Sequence, residues 1–315
     1  MKLDVVFSIG PACRPAYHLA SNGFRKFAAP LDWQMGYSLE TVLQLFKTGF
    51  YDFFVEIEED DSYEGEMRKV WDVRNKVCSI HHFSRDVDLK QNQEIFREKM
   101  RRRYERLDKK IKESSSIGLV CNRNLEIEQF KTFLLEFSQI YPQKKIILIN
   151  IKNEDTKEKR IEKYDVNENL EIHQYILFDE GESGTHWWIG NSENWYWVLN
   201  HYELGYRKVL ATLQPVLNEK SLVVYGAGVI AKRVIEILRR NHIKVDGIAV
   251  TKMDGNPSEV EGIKVKSIEV YDGKNTFFLV AVGKEDVRKE MLAIASEHSD
   301  TIGYIDINCG EIKVI

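Results

Sequence analysis

Several things are scarce in this 315-residue chain, and each scarcity narrows the reading. Cysteine is rare: Cys13, Cys78, Cys121 and Cys309 stand far apart with no C-x-x-C spacing. Neither a structural zinc site nor a disulfide framework is therefore indicated, no metal is expected, and the thiols are expected to be reduced. No apolar run is long enough to span a bilayer, and the chain enters a strand at once without a basic-then-apolar leader. A cytoplasmic protein with no membrane span is the expectation. Charge of one sign is missing too, since 45 Lys plus Arg against 49 Asp plus Glu leave a formal charge of −4. That balance gives no global argument for a nucleic-acid partner, so an electrostatic partner would have to be met by a local patch.

What remains is an ordinary globular composition, 43% hydrophobic and 30% charged, in a chain too long for one typical core and suited to two domains. The stretch from Asp4 to Cys13 organises the first of them. Val5 to Ile9 reads as a buried strand, Gly10-Pro11 as a turn, and Cys13 as the start of a helix, with Pro15 in the first turn and Asn22-Gly23 as the stop. A cysteine placed there meets free N–H groups and the positive end of the helix dipole, which favour a thiolate. The alternative is a small buried hydrophobe.

Downstream, Pro30-Leu31-Asp32-Trp33 is turn-rich and sets an acid beside a tryptophan. Ser38 caps an amphipathic helix to Lys47, and the acidic run Glu56 to Glu66 reads as a solvated loop. Lys76 to Phe83 reads as a strand carrying His81 and His82. Gln93 to Glu113 is a helix with Phe96, Met100, Tyr104, Leu107 and Ile111 on one stripe. Its other faces, rich in Arg and Lys from Arg97 to Lys112, read as a solvated surface, with attraction of an anionic substrate as the alternative. Ile117 to Cys121 and Lys145 to Ile151 flank a helix from Ile127 to Ile140, the pattern of a β-α-β unit. Asn153 to Asn169 reads as a polar loop and Leu170 to Phe178 as a further strand. Four of the six tryptophans lie between His186 and Trp197, where they either pack a core or seam or stack on a sugar or base. A helix from Trp195 to Leu213 leads to Asn218-Glu219-Lys220, which divides the chain into domains at 1–215 and 219–315.

The second domain opens with a buried strand from Ser221 and then Gly226-Ala227-Gly228-Val229-Ile230-Ala231, a G-x-G-x-x-A turn in its proper strand-to-helix context. Gly226 permits the tight turn, Gly228 lets a phosphate approach the backbone, and Ala231 lets helix and strand pack closely. These three are the candidate cofactor-binding residues. The next strand ends Val250-Thr251, where a dinucleotide fold would place Asp or Glu on a ribose. That absence counts against NAD; Asp254, a little further on in the following loop, could substitute.

This domain resembles the small Rossmann-like domains of bacterial sugar-modifying enzymes, including the nucleotide-sugar-binding domains of sialic-acid and bacillosamine acetyltransferases. A nucleotide-sugar or dinucleotide ligand is what the resemblance implies. No hexapeptide acyltransferase repeat follows, so that activity is not carried over. In the first domain Ser8-Ile9-Gly10-Pro11-Ala12-Cys13, Pro30-Leu31-Asp32-Trp33 and Ser79-Ile80-His81-His82-Phe83 resemble a bacterial family of unknown function classed as papain-like cysteine peptidases. Its usual pattern has Leu and Phe where this chain has Ile9 and Leu31. The fold class implied is α/β, a first domain of papain-like type followed by a Rossmann-like parallel sheet.

The resemblance implies a Cys-His-acid arrangement, with Cys13 as nucleophile, His81 or His82 as base and Asp32 as the orienting acid. Because side chains alternate along a strand, one of the two histidines faces Cys13, and His82 is favoured. The function expected is a cysteine-dependent hydrolase or acyl-transfer enzyme of surface-glycan or other specialised biosynthesis, acting on a small-molecule, glycan or peptide substrate. The competing reading is a non-catalytic or carbohydrate-directed module that binds a nucleotide-sugar or glycan. Fold alone does not choose between them, and a homo-oligomer stays open.

Overall fold

The computed structural model describes residues 1–181, 187–203, 213, 216–217, 219–240, 243–306 and 311–315. They form two compact units, one made of Met1–Leu19 and Ala28–Tyr202, the other of Ala20–Phe27 and Glu203–Ile315. The chain is mixed α/β with parallel sheets, and among the described residues no helix is long and apolar enough to cross a membrane.

In the first unit, β1 (Val5–Ser8) leads into α1 (Cys13–Ser21), followed by β2 (Gln34–Met35), α2 (Leu39–Lys47), β3 (Ile57–Glu59), β4 (Met67–Asp72) and β5 (Val77–Ser84). Then come α3 (Leu89–Glu113), β6 (Ser116–Cys121), α4 (Ile127–Ile140), β7 (Lys145–Asn153), β8 (Arg160–Asn167), β9 (Leu170–Leu177) and α5 (Ser192–Leu199). One sheet runs β1-β6-β7-β9-β8, with the first four strands parallel and β8 antiparallel at the edge. The other is an antiparallel sheet, β2-β5-β4-β3. β1, β6 and β7 are almost wholly buried, as their largely apolar runs require of strands covered on both faces. Ser38 Oγ caps α2 by accepting from the Thr41 N–H, and α4 buries Phe130, Phe133, Leu134 and Phe137 on one stripe.

Two loops expected from sequence are strands. Within the acidic run, Ile57–Glu59 pairs with β4 because Glu59 and Asp60 meet Arg68 and Lys69 at 2.7 and 2.8 Å. Within the polar run after Asn153, β8 pairs along β9 as an edge strand, half exposed, so it carries no apolar signal. α3 starts at Leu89, before the first apolar position of its stripe, because the Asp88 carboxylate accepts from the Lys90 and Gln91 N–H groups. Its basic residues largely pair along the helix, as in Arg101–Glu105 and Lys112–Asp108. α5 begins at Ser192, capped by Asn191, and ends at Leu199; the rest of the expected helix at 204–212, together with His186, Asn218 and Cys309, lies outside the described residues.

The second unit contains β10 (Ser221–Tyr225), α6 (Val229–Arg240), β11 (Gly247–Val250), β12 (Glu259–Val260), β13 (Ile263–Ser267), β14 (Thr276–Val280), α7 (Glu285–His298), β15 (Ile302–Asp306) and β16 (Glu311–Val314). Its sheet runs β12-β13-β11-β10-β14-β15-β16. The five inner strands are parallel, and β12 and β16 are antiparallel at the edges. The first strand of the unit is therefore central, and the chain builds outward on one side before crossing to the other. Leu222 and Val224 face a core with Val234, Ile235 and Leu238 of α6, while Val223 and Tyr225 face the opposite core with Ala295 of α7. That alternation is the period of two written in the sequence.

Candidate active site

Cys13 is the first residue of α1, at the carboxyl end of β1, and is 7% exposed. The loop that delivers it is fixed on both sides. The Ile9 N–H donates to the Val120 carbonyl at 2.9 Å, and the Gly36 N–H to the Pro11 carbonyl at 3.0 Å. Gly10 has a φ of +70°, and a Cβ there would lie 2.2 Å from the Tyr37 hydroxyl, so the turn needs glycine for conformation and for space.

The imidazole that meets the thiol is His81, with Nε2 3.5 Å from Cys13 Sγ. Strand alternation favours His82, but alternation is broken at this point. Val70 pairs with Ser79 and Arg68 with Phe83, so Ile80, His81 and His82 bulge opposite Lys69. The bulge turns His81 toward Cys13 and sends His82 inward. There its Nδ1 lies 3.3 Å from Gln34 Nε2 and 3.2 Å from Ser79 Oγ, with its ring on Phe96.

Among the described hydrogen bonds none joins Asp32 to His81, whose polar partner there is Cys13. The buried Asp32 carboxylate accepts from the Ala29 N–H at 2.9 Å and closes the turn before Trp33. Trp33, held at a φ of 68°, places its ring edge-on to His81 with centroids 5.7 Å apart. Asp32 thus fixes the turn that presents the tryptophan.

Burial pushes the Cys13 thiol up to about 11; its own N–H opposes this, and the charges on Cys78 and Asp32 add to it. Burial lowers the pKa of His81. Both shifts disfavour the charged forms, opposite to the thiolate that a helix start favours. His82 is pushed down to about 3, by burial first and then by Lys99, Arg103 and His81.

Sequence reasoning missed the groups that fix the surroundings. Arg14, next to the nucleophile, donates to the Trp188 carbonyl at 2.8 Å, to the Asp179 carbonyl at 2.7 Å and to Asp179 Oδ2 at 3.0 Å. His18 Nε2 donates to the Ile189 carbonyl at 2.7 Å. Asp179 also accepts from the Trp195 indole and the Asn191 N–H. A Cβ on Gly190 would lie 2.4 Å from Asp179 Oδ1. Together these strap residues 187–191 onto α1 and set Trp188 edge-on to Trp33 and Tyr17. Of the tryptophan cluster, Trp195 is fully buried and stacked on His18, whereas Trp187 is 64% exposed. The Arg14–Asp179 partnership spans 165 residues and leaves no local signal.

In the second unit, Gly226 and Gly228 line a cavity of about 510 Å³ at the carboxyl ends of β10, β11 and β14. The Gly226 N–H is committed to the Ala249 carbonyl, while a Cβ on Gly228 would meet nothing within 4 Å. Ala231 is buried in the core against β10 and lets α6 approach the sheet; it does not line the cavity. Thr251, where an acid would hold a ribose, shares a hydrogen bond of 2.5 Å with the Tyr225 hydroxyl. Among the described residues, no group of three or more His, Cys, Asp or Glu side chains is placed to hold a metal.

Residues 4–149 match the family model described as "Putative papain-like cysteine peptidase (DUF1796)". The match contains Cys13, Asp32, Trp33, His81 and His82 and stops within β7, before the strap at 187–191. No curated protein and no solved structure matches the chain.

Proposed function

We propose that the first unit is a cysteine-dependent hydrolase or acyl-transfer enzyme, with Cys13 as nucleophile and His81 as its base. The observation that carries this reading is the 3.5 Å approach of His81 Nε2 to Cys13 Sγ at a helix start. Both groups rest neutral, so the proton moves as the bond forms. His81, protonated on Nδ1, takes the Sγ proton on Nε2 while sulfur attacks the substrate carbonyl carbon. The first-turn N–H groups of α1, which a helix start leaves without intrahelical acceptors, are the donors offered to the developing oxyanion. His81 returns the proton to the departing amine or alcohol and leaves a thioester on Cys13. Water, or a second acceptor in a transfer reaction, then gives a proton to His81 and attacks the thioester carbonyl; the C–S bond breaks as the intermediate collapses, and His81 returns that proton to Sγ. The aromatic wall of Trp33 and Trp188 beside His81 suits an acyl group with a flat apolar face.

The test is mass-spectrometric trapping with an activated ester such as p-nitrophenyl acetate. Acylation at Cys13 is expected in the wild type and should slow by about 100-fold in His81→Asn. Absence of the Cys13 adduct, or an unchanged rate in His81→Asn, would remove the proposal.

The second unit supports a binding role of its own, because its central-first strand order is that of Rossmann-like folds and its cavity opens at the crossover between β10 and β14. A nucleotide or nucleotide-sugar there would set its phosphates against Gly228 and the start of α6. Thr251 and Lys252 in place of an acid favour ligands other than NAD. Calorimetric titration with UDP-sugars, NAD(H) and NADP(H) separates these, and no heat with any of them would leave the unit without this role.

A further inference from the structure

The loop leading to Cys13 rests on a residue that the Cys13–His81 chemistry does not use. Arg123 follows β6 and is only 8% exposed. Its Nη2 donates to the Ile9 carbonyl at 3.0 Å, and its guanidinium lies 5.5 Å from the centre of the Tyr37 ring. Nε has no acceptor, and no carboxylate pairs with the group among the described residues. An arginine stays charged when buried, and a buried cation without a counter-ion is costly.

Arg123 lines a cavity of about 530 Å³ between α2 and α4. The two helices run side by side in the same direction. Lys47 and Glu136 pair at their far ends at 2.8 Å, while Ser38 at the start of α2 and Gln129 in the first turn of α4 lie at the Arg123 end. Both helix starts are already capped, α2 by Ser38 and α4 by the Glu126–Gln129 box, so the charge left to meet a ligand is the Arg123 guanidinium. The other charges in the wall limit what can enter. Lys47 is already neutralised by Glu136, and Glu40 stands in the first turn of α2. One available positive charge with a carboxylate at the rim suits a single negative charge and disfavours a dianion. The remaining wall includes Leu43, Leu125 and Phe133, which offers an apolar surface behind the charged end.

We propose that this cavity binds a small organic monocarboxylate, with its carboxylate at Arg123 and its apolar body against Leu43, Leu125 and Phe133. The site does not depend on the chemistry proposed for Cys13. It is tested on the full chain by calorimetry at about pH 8.5 with hexanoate and benzoate, using hexanamide and benzamide as neutral matches and phenylphosphonate, fully ionised there, as the dianion. Both carboxylates are expected to bind, and the amides to bind at least about tenfold more weakly. Gln44→Trp and Thr132→Trp, at exposed cavity positions away from the Ile9 contact, should each weaken carboxylate binding by at least about tenfold while leaving the circular dichroism and melting of the chain unchanged. No heat from either carboxylate, equal binding of the amides, or undiminished binding in both tryptophan variants would overturn the site. Tighter binding of phenylphosphonate than of benzoate would overturn the choice of a monoanion.

Discussion

The two units start alike, with a buried parallel strand that turns through glycine into a helix, and they use the junction in opposite ways. At Gly10-Pro11-Ala12-Cys13 the turn is filled from every side: Tyr37 lies against Gly10, Arg123 holds Ile9, and Arg14 and His18 of the following helix hold the strap. At Gly226-Ala227-Gly228-Val229 the turn is left open, with bare backbone lining a cavity. The filled junction can hold a reactive atom against a partner within a few tenths of an ångström. The open one leaves empty space beside its backbone. Strand-turn-helix is therefore a shared scaffold, and side chains distant in sequence decide what it does.

The largest effect that would break the filled junction is Arg14→Met. Asp179 is 1% exposed at its side chain, and burial already raises its pKa against the stabilising guanidinium. Leaving that carboxylate unpaired should cost about 3–5 kcal/mol, read by urea denaturation at neutral pH. The companion Arg14→Met/Asp179→Asn should recover part of the loss, because the uncompensated charge is gone. Equal stability of the two variants would mean that the pair does not hold the strap.

Gly10→Ala comes next. The new Cβ would enter the ring of Tyr37, itself buried and packed against Arg123, at a φ of +70° that alanine disfavours. Overpacking and backbone strain together predict a loss of about 3 kcal/mol. Urea midpoints decide it, and a loss below about 1 kcal/mol would show that Tyr37 moves aside freely.

These two positions also show how far sequence reasoning reaches. β1, the turn and the start of α1 are legible because burial, glycine and proline act on neighbours within a few residues. So are β6-α4-β7 and β10-α6, whose apolar periods match their geometry. Ile57–Glu59 and Arg160–Asn167 are not, since edge strands need no apolar alternation and take their stability from pairing with a neighbour. The choice between His81 and His82 is illegible for a similar reason. Alternation holds only in a regular ladder, and the bulge opposite Lys69 depends on the register of β4, which the sequence of β5 does not contain. Asp32 is legible as a turn acid, while its commitment to the Ala29 N–H in place of an imidazole depends on where the turn folds.

Acid sharpens the contrast by a smaller amount. Unfolded His82 titrates near 6.5, whereas in the folded chain it is held down to about 3. Between those values the unfolded chain binds the extra proton, so stability falls as pH drops from 6.5 toward 3 and is regained above 6.5. By about pH 5 the loss attributable to His82 should be about 2 kcal/mol, and the lowered pKa of His81 acts in the same direction. His82→Gln should flatten this acid limb in a urea series across pH. An unchanged slope would mean that His82 protonates without leaving its place beside Gln34 and Ser79. Among the described residues no histidine lines the cavity of the open junction.

The smallest expected effect on stability belongs to Gly228→Ala, and its smallness is what makes it informative. A Cβ at this position meets no protein atom within 4 Å, so the folded chain should change by less than about 0.5 kcal/mol. The added methyl nevertheless enters the space that a phosphate would need to reach the backbone at the start of α6. If the second unit binds a nucleotide or nucleotide-sugar, calorimetry should show affinity falling by about tenfold or more while the urea midpoint stays in place. Unchanged affinity would place the phosphates elsewhere in the cavity, and a large loss of stability would show that the junction is packed after all. Set against Gly10→Ala, the same substitution made at two matching turns separates a glycine kept for the protein's own packing from one kept for a ligand.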